Sequence, residues 1–257
     1  MTIWRHFCTV LLLGTALSFA GCANTHTPKQ EDSTNKKVES HYRLGLDALS
    51  KNNLPKAFDE LLHAEHLNPK RADVLGALAY AWQLRGDMDR SHTYYSRALA
   101  IEPSPRTYNN FGGLLLAMHK PVEAEAAFRK TLDDPRYNRP AFAYINLGDA
   151  LLMQDRMEAA IAAYRQARLL NPLQEISRLK EAAAYLKYKR PAFARAMYET
   201  VLRDSSGNRQ ALEGLLPLLT TQQDKEEAMR QLKLFIKRTP VPLDRAWAEE
   251  SLQAMQP

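Results

Sequence analysis

Cysteine and glycine are scarce in this chain, and these shortages restrict its fold class and the cysteine-based sites that it can form. The 257 residues include only 2 cysteines and 10 glycines. Both cysteines, Cys8 and Cys22, lie near the N-terminus, which excludes a disulfide framework and a cysteine-based zinc site. Few turn residues, together with abundant alanine, leucine, arginine, glutamate and glutamine, favour helices over strands. We therefore predict an all-α fold.

Sequence motifs for catalysis are also lacking. The chain has no Gly-x-Ser-x-Gly turn and no glycine-rich phosphate loop, and residues 111–114 (Phe-Gly-Gly-Leu) fit a close contact within a helix. Glu60, His63 and His66 share one helix face, but a metal site between helices needs matching ligands from a facing helix. None is evident, so a solvated helix face is the better interpretation. We predict no enzymatic activity, no metal and no cofactor.

The charged residues form no concentrated patch. Charged residues make up 25% and hydrophobic residues 45% of the chain, with a net charge of +6. This balance is typical of a folded soluble protein and excludes wholesale disorder and a multi-span membrane protein. The basic residues are scattered, without a stripe interleaved with aromatics, so we predict no nucleic-acid partner.

The longest apolar stretch lies at the N-terminus. A basic start at Arg5 precedes an apolar stretch over residues 7–20, which is short for a membrane-spanning helix. Small residues then precede Cys22, as in an export signal that is removed from the mature chain. Residues 17–22 (Leu-Ser-Phe-Ala-Gly-Cys) resemble a bacterial lipobox, which implies lipidation of Cys22 and cleavage before it. The alternatives are an ordinary secretory signal with a chance cysteine, or an uncleaved anchor.

The lipobox resemblance also implies a destination. The residue after Cys22 is Ala23, and the absence of aspartate there resembles the sorting pattern of outer-membrane lipoproteins. Several acyl chains on one residue would anchor the chain stably. We predict a signal peptide over residues 1–21 and a lipid anchor on Cys22 at the periplasmic face of the outer membrane. Residues 22–37 contain no large apolar side chain and are predicted to form a disordered tether.

From residue 38 onward the sequence repeats about every 34 residues. A small residue recurs at one place in the first five units, and a leucine takes that place in the sixth: Gly45, Ala79, Gly112, Gly148, Ala182 and Leu216. A second small residue and then a large apolar or aromatic residue follow at fixed distances. Pro69, Pro103, Pro172 and Pro240 close four of the units. Each unit therefore indicates a helix, a short turn, a second helix and a stop.

This pattern resembles the tetratricopeptide repeat, which implies a right-handed superhelix whose concave face is lined by the first helix of each unit. The predicted units cover residues 38–71, 72–104, 105–140, 141–174, 175–208 and 209–242, and a capping helix follows at 243–257. Two units are irregular. Residues 133–140 lengthen the link after unit three, and Pro217 should kink the first helix of unit six.

The resemblance also implies which side chains face the concave groove. Mapping the groove-facing places of the family onto this chain predicts a mostly apolar partner-binding groove lined by Tyr42, Leu46, Leu49, Tyr80, Leu84, Asn109, Leu116, Phe142, Ile145, Leu152, Ile176 and Leu179. Such a groove suits an amphipathic helix or an extended apolar segment. Tyr42 and Leu46 stand where clamps for a peptide carboxylate carry basic or amide side chains, so such a clamp is not predicted. The alternative is that neighbouring units bury some of these side chains.

The lipobox, the tether and the six units together narrow the family further. Residues 108–112 (Tyr-Asn-Asn-Phe-Gly), 123–128 and 132–148 resemble the type IV pilus pilotins, the PilF/PilW/Tgl family of lipoproteins. The resemblance implies that a monomer binds the pilus secretin, a ring-forming outer-membrane pore, and helps it to reach the membrane and assemble. The alternative is a general periplasmic scaffold lipoprotein, for example an adaptor for cell-wall enzymes.

We predict that Cys22→Ser moves the protein out of the outer membrane, because the acyl chains would have no residue to join. Fractionation of the membranes measures this. Unchanged recovery in the outer-membrane fraction would refute the lipobox.

Overall fold

The computed structural model describes the backbone of residues 28–255 and the side chains of residues 32–255. Over this range the chain forms α-helices, one 3-10 turn and no strand, so the predicted all-α fold is confirmed. The helices are α1 Pro28–Ser50, α2 Leu54–Leu67, α3 Ala72–Leu84, α4 Met88–Ile101, α5 Pro105–Ala117, α6 Pro121–Leu132, α7 Pro140–Met153, α8 Met157–Leu170, α9 Glu175–Lys187, α10 Pro191–Asp204, α11 Arg209–Leu215, α12 Gln222–Arg238 and α13 Pro242–Ala254. Cys22 and the predicted signal peptide lie outside the described residues.

The helices pair as antiparallel hairpins that stack in one direction. We call the odd-numbered helices α1 to α11 the A helices and the even-numbered helices α2 to α12 the B helices; α13 follows the last hairpin. Each A helix packs on its own B helix and also contacts the A helix of the next unit. The short A–B turns therefore lie at one edge of the stack, the turn edge, and the B–A links at the other, the link edge. No helix within residues 28–255 is both long and apolar enough to cross a membrane.

The A–B turns of the first five units share one backbone geometry. One residue in each turn has a positive φ: Asn52, His119, Asp155 and Lys189 at 55 to 57°, and Gly86 at 89°. The N–H of the next residue then donates to a carbonyl near the end of the A helix, as from Lys120 to Leu115 at 2.8 Å. This bond pairs a carbonyl that the helix end would leave unsatisfied. The turn residues of the sequence therefore fold into equivalent structures.

The recurring small residue lets each A helix approach its B partner closely. A Cβ atom built on Gly112 would lie 2.5 Å from the Phe128 ring, and one on Gly148 would lie 2.3 Å from the Tyr164 ring. Real Cβ atoms essentially never come within 3.0 Å of another heavy atom. The rings of Phe128 and Tyr164 are fully buried and form part of a continuous core. The glycines thus permit the spacing that buries these rings.

Residues 28–37 differ from the prediction. They were expected to belong to a disordered tether, but they form the first turns of α1. Five of these ten residues are lysine, glutamine or glutamate, which have high helix propensity. An ion pair one turn apart joins Lys36 to Asp32 at 2.7 Å. The part of the tether before residue 28 lies outside the described residues.

Unit six is irregular, as its sequence predicts. Helix α11 stops at Leu215, and Leu216–Leu218 continues as a 3-10 turn with Pro217 at its centre. Proline lacks the N–H that a continuing helix would need. Leu216, the sixth member of the small-residue series, therefore lies in this turn and is half-buried. Helix α12 restarts with a capping box between Thr221 and Asp224.

Two adjacent glycines of α5 provide a matched test of the close approach. Gly112→Ala should destabilise the protein by about 1–3 kcal/mol, because the new methyl group must displace the Phe128 ring. Gly113→Ala should stabilise it by roughly 0.5–1 kcal/mol, because no atom outside its own helix lies within 4 Å of the new methyl group and alanine favours helix. Urea unfolding followed by circular dichroism measures both changes. Equal effects of the two variants would contradict the spacing role of Gly112.

Candidate functional site

The first three A helices and the link after unit three enclose a cavity on the groove side of the stack. Its volume is 740 Å³. Three side chains about one turn apart on α1 (Tyr42, Leu46 and Leu49) share this cavity with residues of α3 and α5. Because the three A helices lie side by side, the faces that they turn to the cavity form a continuous surface. We call this surface the groove pocket.

One side of the groove pocket is apolar and aromatic. Tyr42, Leu46 and Leu49 from α1 face Tyr80 from α3. Leu46 and Tyr80 are exposed, whereas Tyr42 and Leu49 are half-buried. Burial raises the pKa of Tyr42, and the nearby Asp73 carboxylate raises it further. At neutral pH this hydroxyl therefore keeps its proton and can donate a hydrogen bond.

Other residues in and beside the groove pocket are polar. Asp73 lies in the first turn of α3 and is held by the Arg71 guanidinium at 2.8 Å, and Arg71 also stacks over the Tyr42 ring. Arg106 lies in the first turn of α5, one turn before Asn110. Among the described residues, no carboxylate lies within ion-pair distance of Arg106. The pocket therefore offers one exposed guanidinium whose charge is not neutralised by a direct partner.

The long link after unit three forms the end wall of the groove pocket. Asp134, Arg136, Tyr137 and Asn138 line the cavity. The Asp134 carboxylate accepts bonds from the Arg136 guanidinium at 3.0 and 2.8 Å and from the Arg136 N–H at 2.9 Å. These bonds lower the pKa of Asp134 to about 2. The link is thus a locally bonded loop, and it makes the groove deeper at this end.

Tyr95 from α4 lies at the floor of the groove pocket. The whole side chain is buried, and its hydroxyl has no hydrogen-bond partner among the described residues. Burial strongly raises the pKa of this hydroxyl. The corresponding hydroxyl in unit four, that of Tyr164, donates to Asp149 at 2.8 Å. In unit two the residue in the place of Asp149 is Tyr80, so the floor hydroxyl lacks that acceptor.

The structure distributes the twelve predicted groove residues over four environments. Tyr42, Leu46, Leu49 and Tyr80 line the groove pocket; Leu84 and Phe142 are exposed outside it; Leu116, Leu152 and Ile176 are half-buried against the core. Asn109 is half-buried and accepts a bond from Asn146 of the next unit at 3.1 Å. Ile145 and Leu179 require a correction, since each is only 5% exposed and belongs to the core. In units four and five these side chains face a neighbouring helix and not the groove.

Sequence reasoning missed the polar residues of the groove pocket. Asp73 and Arg106 occupy the second place of their units, the place for which Phe142 and Ile176 were named, and this periodicity could have revealed them. Arg136 and Tyr137 lie in the irregular link, where no periodic pattern applies. The groove pocket is consequently more polar than the apolar groove that was predicted.

The histidines of the first hairpin form a contact between its two helices. His41 Nδ1 lies 2.7 Å from Glu60 Oε2, and the His41 and His63 rings stack with centroids 5.2 Å apart. No group of three or more potential metal ligands converges within the part of the chain that the structure describes. Glu60 and His63 therefore contact His41 across the hairpin, and His66 is exposed.

Comparison with known proteins gives one repeat family, one type IV pilus protein and one cellulose synthase operon protein. The family description "Tetratricopeptide repeat" matches residues 110–173. The chain is 25% identical to the type IV pilus assembly protein PilF of Pseudomonas aeruginosa over 221 residues, which cover 85% of this chain and 88% of that protein. It is 29% identical to cellulose synthase operon protein C of Escherichia coli over 124 residues, but these cover only 9% of that protein.

Solved structures share the fold over most of the chain. The structure of Pseudomonas aeruginosa PilF superposes with a TM-score of 0.70 at 23% identity, covering 87% of this chain and 100% of that one. The structure of PilW, described as a widely conserved type IV pilus biogenesis factor, gives 0.71 at 18% identity, covering 82% and 98%. The predicted tetratricopeptide superhelix is therefore confirmed.

The two equivalent tyrosines allow the unpartnered hydroxyl to be tested. Tyr95→Phe should stabilise the protein by about 1–3 kcal/mol, because it removes a buried polar group without a partner. Tyr164→Phe should destabilise it by about 1 kcal/mol, because it removes the bond to Asp149. Thermal and urea unfolding measure both changes. A loss of stability in Tyr95→Phe as large as that in Tyr164→Phe would show that the floor hydroxyl has a bound partner.

Proposed function

We propose that this chain, which belongs to the tetratricopeptide repeat family, is an outer-membrane lipoprotein of type IV pilus biogenesis that acts as a pilotin for the secretin. The observation that carries the proposal is the similarity to PilF, which extends over 85% of this chain and 88% of that protein. A repeat alone occurs in many unrelated proteins, but here the similarity extends over nearly the whole length of both chains. The lipobox at Cys22 adds an independent feature.

The lipid anchor supplies the location in this proposal. Acyl chains on Cys22 would hold the chain at the periplasmic face of the outer membrane, where a secretin must assemble. The covalent lipid is the only prosthetic group that the proposal requires. Helix α1 begins at Pro28, so only residues 23–27 separate it from the anchored cysteine.

The groove pocket supplies the binding surface. Leu46 and Tyr80 offer exposed apolar area for an amphipathic or extended segment, and aromatic anchors of this type contribute much of the energy of an interface. Arg106 lines the same cavity, so a carboxylate on the bound segment would gain an ion pair. The segment that fits best is therefore apolar on one side and acidic on the other.

No step of this function requires chemistry on the bound segment. Tetratricopeptide repeats are modules for protein interaction, and the groove pocket holds no nucleophile placed beside a base. We infer a non-enzymatic role: the protein covers an exposed segment of the secretin until the subunits assemble.

Deletion of the gene gives the first test. Outer-membrane fractions are separated on unheated gels and probed for the pilus secretin. We expect the heat-resistant multimer to disappear while monomer remains. Normal multimers would refute the pilotin role and favour the general scaffold, whose partner could then be identified by crosslinking.

Substitutions in the groove pocket test the binding surface. Leu46→Glu combined with Tyr80→Glu should reduce secretin multimers at least tenfold, because two charges on the apolar side prevent apolar burial there. The matched control is Leu62→Glu with Val122→Glu, which changes two exposed apolar residues on B helices. Circular dichroism establishes that both variants fold. Unchanged multimers in a folded Leu46→Glu, Tyr80→Glu variant would exclude the groove pocket.

A further inference from the structure

Three leucines protrude at the link edge between units four and five. Leu169, Leu170 and Leu173 are 72%, 51% and 93% exposed. We call them the leucine cluster. Leu169 and Leu170 end α8, and Leu173 lies in the link that leads to α9. Val241 and Leu243, in and just after the link before α13, are further exposed apolar residues at the same edge.

The leucine cluster does not belong to the groove pocket. The pocket is built from units one to three, and none of the three leucines lines it. The cluster stands at the tip of a link, where three apolar side chains in five residues protrude from the edge. Single exposed leucines are ordinary, but a protruding group of this kind is typical of an interaction site.

Basic side chains outnumber acidic ones in the last turns of four B helices, where Asp204 of α10 is the one carboxylate. The last turns of α6, α8, α10 and α12 carry Arg129, Lys130, Arg168, Arg203, Lys237 and Arg238. Between the end of α8 and the first residue of α9 (residues 171–175), the one carboxylate is that of Glu175. It accepts a hydrogen bond from the Asn208 amide. Leucines flanked by arginine and lysine complement a membrane surface that contains anionic lipid.

The chain enters the fold from the same edge. Helix α1 has 23 residues, whereas α3 has 13, and the extra residues extend from the link-edge end. Residues 23–27 then connect α1 to Cys22 over no more than about 20 Å at full extension. The anchored cysteine would therefore lie on the link-edge side of unit one, opposite the A–B turns.

We propose that the link edge of units four and five docks on the lipid surface, with the leucine cluster inserted at the level of the headgroups. The anchor and the cluster give two separated contacts, which fix the orientation of the superhelix as well as its location. The groove pocket lies in units one to three, and the leucine cluster lies in units four and five, so docking of the cluster leaves the pocket accessible to a protein partner. The orientation rests on the proposed anchor, but the insertion of the leucines can be measured without it.

The absence of cysteine after residue 22 makes a site-specific label possible. Leu173→Cys carries an environment-sensitive fluorophore, and the protein is reconstituted through its own acyl chains into vesicles of phosphatidylethanolamine and phosphatidylglycerol. We expect a blue-shifted emission and quenching by brominated acyl chains. The matched control is Val122→Cys at the turn edge, which is 67% exposed and should show neither effect.

The same labels on a Cys22→Ser chain that begins at residue 22 separate docking from anchoring. A blue shift at position 173 on adding vesicles would support docking even if the anchor fails. Leu169→Glu in that labelled chain should weaken vesicle binding on the order of tenfold, because burying one leucine side chain shifts an equilibrium by at least that factor. Equal emission at positions 173 and 122 in both forms would overturn the proposal. A blue shift that depends on protein concentration without vesicles would assign the cluster to contact between copies, and would also overturn it.

Discussion

The close approach of each A helix to its own B helix is the contact on which the rest of the structure depends. It places a buried ring beside a small residue, as with Tyr164 beside Gly148, and so sets the spacing of the hairpin. In unit four the contact continues outward, because the Tyr164 hydroxyl bonds to Asp149, which also accepts from Lys180 of the next unit at 2.8 Å. One local contact thereby joins packing within a unit to bonding between units.

The groove pocket forms where units two and three depart from the regular repeat. In unit two, tyrosine replaces the aspartate that would receive the floor hydroxyl, so Tyr95 remains without a partner. After unit three, the long link closes one end of the cavity with Tyr137 and its neighbours. A regular superhelix presents an open concave face. Here two departures from regularity convert part of that face into a pocket with an apolar side, a polar side and an exposed guanidinium at Arg106.

The features predictable from the sequence are those that local residue preferences determine. Helix pairs, turns and the break at Pro217 follow from residues whose local preferences agree with the fold. Prediction failed where burial depends on contacts between units and not on the position of a residue in the repeat. The burial of Ile145 and Leu179 depends on how consecutive A helices are rotated relative to each other. Prediction also failed where polar residues bond locally, as in the first turns of α1 and in the link wall. Neither of these segments follows the 34-residue repeat, so periodicity could not predict its structure.

The 3-10 turn in unit six affects where the protein begins to unfold. Because units contact mainly their neighbours, stability in such an array is close to a sum of unit and interface contributions, and cooperativity decays along the stack. The short α11 gives the last hairpin less interface than its predecessors have. Opening should therefore begin at the C-terminal end and stop short of units one to three. The protein can fray at one end while the pocket at the other keeps its shape.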